Sequence, residues 1–148
     1  MLTSSAVATS FATFPSASIC KISRSRAVSV SKGSSDIDLL NYALTLENLE
    51  SAFYVQRLTK LMASDFAASS LLQNLGSGVT DKVVGYLKII RDDEVAHVNT
   101  IATVIKSLGG TPVAACPSYN FTYVSADDFL KLAVVLEDTG VSAYDGAL

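Results

Sequence analysis

The sequence predicts an all-α bundle, and three observations carry that prediction. Two long stretches repeat apolar residues at helical spacing with no internal proline, a Pro-containing crossover leads into a third such stretch, and strand-like alternation is scarce. Only 27–30 and 119–124 alternate in that way, and neither is long enough to carry a sheet. With 148 residues, 49% of them hydrophobic, the chain suits one compact domain rather than two.

The first element runs from Asp36 to about Met62. Leu40, Leu44, Ser51, Tyr54, Leu58 and Leu61 form one stripe, flanked by Leu39, Ala43, Leu46 and Phe53. Ser34, Ser35 and Asp36 offer N-caps, and a helix of this length is a rod of about 40 Å, the length of a bundle helix. A short apolar piece, Phe66 to Leu75, reads as a small helix before the turn Gly76-Ser77-Gly78. The second long helix starts near Thr80 or Asp81 and stops at Gly109-Gly110, with Pro112 beyond. Residues 109–124 form a loop whose aromatics Tyr119, Phe121 and Tyr123 are expected to pack across the bundle. Ser125, followed by Ala-Asp-Asp, caps a third helix that continues to Leu148 without a C-terminal stop signal.

Composition changes sharply at Asp36. Residues 1–35 hold eleven serines and the bases Lys21, Arg24, Arg26 and Lys32 but no acid, so they read as a disordered targeting segment. A plastid destination fits this Ser-rich, basic pattern best, with mitochondrial or secretory delivery as alternatives. From Asp36 onward seven bases face 14 acids, a formal charge of −7 that would repel phosphate backbones and argues against nucleic-acid binding. No stretch reaches the roughly 18 apolar residues of a membrane span. Cys20 falls in the leading segment and Cys116 stands alone in the crossover loop, so no disulfide framework is expected.

Glu94-Val-Ala-His97 carries the sharpest chemistry. Three residues apart on one helix, a carboxylate and the chain's single histidine share a face with Ile90, Ile101, Val104 and Ile105, so the pair is expected to point inward and grip one metal ion. The plain alternative is a core histidine hydrogen-bonded to a neighbouring acid. Against that alternative, the first helix sets Glu47 among Leu44, Ser51 and Tyr54 on its own apolar stripe. Glu50 borders the same face and competes for the role, although Arg57 on the same helix suggests a partly solvated ion pair.

The third helix echoes the first. Leu46-Glu47 followed by Tyr54 recurs as Leu136-Glu137 followed by Tyr144, with every position offset by 90 residues. Each tyrosine is expected to stack over its own glutamate, and Gly140 to leave room beside Glu137 at a helix-propensity cost of about 1 kcal/mol. A full pseudo-repeat would place a second Glu-x-x-His about 90 residues after Glu94, beyond Leu148. The chain is therefore expected to be a fragment, or a form lacking its fourth helix.

The segments LTLENLESAFY, RDDEVAHV and LEDTGVSAYDGA together resemble the ferritin-like superfamily, and more narrowly the ferritin-like domain of the plant desiccation-related proteins and their fungal and bacterial relatives, over residues 36–148. The resemblance implies a ferritin-like four-helix bundle, here with about three of its four long helices, built around a di-iron centre for which manganese is the alternative. Carried over, it makes Glu47 a terminal ligand, Glu94 the bridging carboxylate, His97 the imidazole on the first metal and Glu137 the terminal carboxylate on the second. Tyr54, Tyr144 and Glu50 stand behind these ligands. The implied function is iron or oxidant handling in a desiccation or stress setting. Two alternatives stay open: a non-enzymatic helical protective protein, and a fragment without a complete site. A three-helix form exposes an apolar groove, so a homodimer or a partner helix completing the bundle is expected.

Overall fold

The computed structural model describes residues 35–76, 78–121 and 125–145. The expected targeting segment, Cys20, the alternating 27–30 and Tyr123 lie outside the described residues. Within them the chain is all-helical: α1 Asp36–Leu58, α2 Ala63–Ala67, α3 Val79–Ser107 and α4 Ala126–Asp145.

Local chemistry starts and stops each rod. Ser35 caps α1 reciprocally with Asp38: the Asp38 amide donates to the Ser35 hydroxyl oxygen at 3.3 Å, and Asp38 Oδ2 accepts from the Ser35 amide at 3.2 Å. Ser125 and Asp128 repeat the device at the head of α4. α1 ends at Leu58, short of the expected Met62. Thr59 Oγ1 bonds back to the Gln56 carbonyl at 2.8 Å, and that carbonyl's neighbour on Arg57 closes a tight turn by accepting from Lys60 and Leu61. The small helix likewise forms earlier than expected, over Ala63–Ala67, where Asp65 accepts from the Met62 amide at 2.7 Å. Residues 68–75 then run as turns, and the hydroxyls of Ser69 and Ser70 both donate to the Asp127 carboxylate on the first turn of α4.

α3 ends where the sequence says. Gly109 takes φ +79°, a conformation costly for any side chain, and the Gly110 amide returns to the Ile105 carbonyl at 2.9 Å. Gly110 also lets the α3 terminus approach the start of α1, since a Cβ there would lie 2.8 Å from Ile37 Cγ2. Asn41 then straps the crossover to α1, donating to the Thr111 carbonyl at 3.2 Å and accepting from the Val113 amide at 2.6 Å. Tyr119 stacks on Phe121, which meets Phe53 edge-on at 5.4 Å, so these two aromatics do pack the loop onto the bundle. Cys116 is disulfide-bonded, where the sequence suggested a lone cysteine.

The main core lies at one end of the bundle, where Phe53 stacks on Phe129 at 4.8 Å with Tyr54, Phe66, Leu72 and Leu87 around them. α1 packs against both α3 and α4, whereas among the described residues the backbones of α3 and α4 do not approach each other. One flank of each therefore stays uncovered. Val104 and Tyr86 on α3, Leu108 at its C-cap, and Val134 and Val141 on α4 are exposed apolar side chains, which corrects the expectation that Val104 points inward.

Candidate metal centre

The site sits where the middle of α1 faces the middle of α3. Glu47 and Glu94 are 3% and 5% exposed, and His97 Nδ1 lies 3.1 Å from Glu47 Oε2 and 3.4 Å from Glu94 Oε2. One ligand atom from each of the three lies within 4.8 Å of the others, the spacing at which a single cation could be held. His97 was expected inside, yet its side chain is 54% exposed. The half-exposed imidazole thus meets the pair of buried acids from the rim.

Crowding the acids shifts their protonation. Glu94 is pushed up to about 7, first by burial, then by its hydrogen bond to Glu47 and by that residue's charge, with His97 opposing. Burial lowers the His97 imidazole, but the carboxylates of Glu47 and Glu94 outweigh it and the net direction is upward. Without a cation, these groups therefore retain protons that a metal would displace.

The two tyrosines exchange partners. Tyr54 Oη donates to Glu137 Oε1 at 2.6 Å and Tyr144 Oη donates to Glu47 Oε1 at 2.5 Å, so each serves the other helix's glutamate instead of its own. The reason is distance along the rod: seven residues restore the face but rise about 10 Å, beyond a tyrosine's reach to its own Glu. Such an exchange requires α1 and α4 to run antiparallel, with the midpoint of each Glu-to-Tyr segment level with the other. Burial and the bond to Glu137 push the Tyr54 phenol far above its ordinary range, and burial and the bond to Glu47 do the same to Tyr144, so both remain donors.

Glu50 is buried at 6% exposure rather than partly solvated. Burial first, then the charges of Glu94, Glu47 and Glu137, push it up to about 8; its electrostatic surroundings are acids, not the expected Arg57. Gly140 makes room for this residue and not for Glu137, because a Cβ at Gly140 would lie 2.9 Å from Glu50 Oε1.

A family model described as a ferritin-like domain matches residues 35–148. The chain belongs to the ferritin-like domain family. None of the curated proteins compared with it matches. Within this ferritin-like domain, Glu47, Glu94 and His97 come together, while Glu137 stands outside the group of three and is tied in through Tyr54. Sequence reasoning expected Glu47 and Glu94 on apolar faces, where the structure buries them, but missed two contacts, the Glu50–Gly140 approach and the Ser69/Ser70–Asp127 clasp. The first was signalled by the 90-residue offset, which maps Glu50 onto Gly140. The second had no sequence signal, because it joins a turn to a helix start 57 residues away.

Proposed function

We propose that this ferritin-like domain binds a divalent transition metal through Glu47, Glu94 and His97, with Glu137 as the carboxylate facing a second ion, and that it serves iron or oxidant handling in a desiccation or stress setting. The observation that carries this reading is the pair of buried glutamates converging on an imidazole. Two acids removed from water are costly unless a cation or protons compensate them. Oxygen donors with one imidazole suit iron or manganese, and Tyr54 and Tyr144 hold two of the carboxylates in orientation. Iron held there would supply one-electron exchange with oxygen or peroxide. The finer relationship, to the desiccation-related proteins, rests on the three sequence segments.

The test is direct. The full chain is incubated anaerobically with ferrous or manganous ion, desalted, and its bound metal counted. One equivalent or more per folded chain is expected, lost in Glu94→Ala/His97→Ala; a folded chain that retains no metal removes the proposal.

The uncovered apolar side chains favour a second, compatible reading, in which a partner helix or second copy covers α3 and α4, with or without catalysis. A non-enzymatic protective protein is the form of this reading in which the site is only structural. We further propose residues 36–148 as the working domain and 1–35 as a targeting segment, directed to the plastid or, alternatively, to mitochondria or secretion.

A further inference from the structure

The repeat that relates α1 to α4 has one position where symmetry fails. Glu47, Tyr54 and Leu46 map onto Glu137, Tyr144 and Leu136, but Glu50 maps onto Gly140. The structure shows that these two mates are also neighbours, since a Cβ on Gly140 would lie 2.9 Å from Glu50 Oε1. A residue that touches its own symmetry mate lies on the twofold axis of the repeat. Two full side chains cannot occupy that point, and two glutamates there would also repel. The chain places one carboxylate on the axis and removes the side chain opposite.

That carboxylate is 94% buried by residue and accepts no hydrogen bond from any described residue, unlike Glu47 and Glu137, each of which accepts one from a tyrosine. Its charged neighbours are Glu94, Glu47 and Glu137, the acids of both halves of the site. We propose that Glu50 is a further metal ligand, a carboxylate standing between the Glu47–Glu94–His97 group and Glu137 that would help to hold the second divalent cation. The inference rests on the metal-binding reading above, which already includes a second ion, and adds to it a ligand. Glu50 and Glu137 stand outside the group of three. Gly140 is the residue that permits the arrangement.

Cobalt(II) titration of the full chain, followed by its visible absorption and by equilibrium dialysis, tests this. Wild type should bind two equivalents. Glu50→Gln keeps the shape of the side chain and removes its charge; it should keep the first equivalent and weaken the second at least tenfold. Gly140→Ala is an independent arm: its methyl meets only the far end of a flexible side chain, so the helix should fold while the carboxylate is displaced, again with loss of the second equivalent. One equivalent in wild type, or two undiminished equivalents in both variants, overturns the role of Glu50 and leaves the three-residue site standing. No bound cobalt in folded wild type overturns both.

Discussion

Burial of like charges makes single carboxyl groups sensitive to pH in this domain. Glu50 rises to about 8 and Glu94 to about 7, against 4.5 for an unperturbed glutamate, because folding takes them from water and sets them among other acids. A raised folded-state value means that the folded chain holds protons the unfolded chain releases. The stability from these groups is thus complete below about pH 4.5 and is lost as pH rises through 7 and 8. Metal-free protein in chelator should therefore show a melting temperature that falls between pH 5 and 9, with a flatter profile in Glu50→Gln; a rising profile in that window would contradict the burial of these acids. Metal affinity should move the other way, increasing about tenfold per pH unit for each proton displaced, as read by dialysis at pH 6, 7 and 8. Tyr54→Phe removes the buried donor to Glu137 and should cost roughly 1–3 kcal/mol in urea denaturation, as expected when an acceptor loses its buried partner. The same change at the half-exposed Tyr144 should cost less.

At the scale of elements, α1 organises the others. α3 leans on one side of it, α4 on another, and the crossover is strapped to its N-terminal half by Asn41. The junction of α3 with the head of α1 depends on the absence of a side chain at Gly110, where a methyl would meet both Ile37 and Ile105 within 3 Å. Gly110→Ala should destabilise the domain by about 1–3 kcal/mol through overpacking, measurable as a drop in the denaturant midpoint. The clasp of Ser69 and Ser70 on Asp127 tethers the α2 turn to α4 and holds the Asp127 carboxyl below its usual range. In Asp127→Ala, amide exchange over 68–76 should accelerate while the centre of α1 keeps its protection, and unchanged exchange there would show the clasp to be incidental.

At the scale of the whole molecule, an aromatic core at one end and a polar centre further along share the same three long helices. Tyr86 is 65% exposed, and Val104, Leu108, Val134 and Val141 join it on flanks that no described helix covers. Exposed apolar side chains in that number favour the reading in which a partner helix or second copy covers them. Sedimentation across a concentration series should show self-association, reduced in a Tyr86→Lys/Val104→Lys variant; a monomer at every concentration would remove the second-copy reading.

Periodicity, capping and spacing by themselves determined that the chain is helical, where α3 ends and which faces carry Glu47, Glu94 and Glu137, because each of these is set by interactions within a few turns of one rod. Tertiary structure alone decided that Tyr54 serves Glu137 and Tyr144 serves Glu47, that His97 stands at the rim, and that Glu50 is buried against Gly140 instead of paired toward Arg57. Those outcomes depend on the direction and register in which separate helices meet, and on which flank remains bare. A single helix's pattern states which way a side chain points, but not what it finds there.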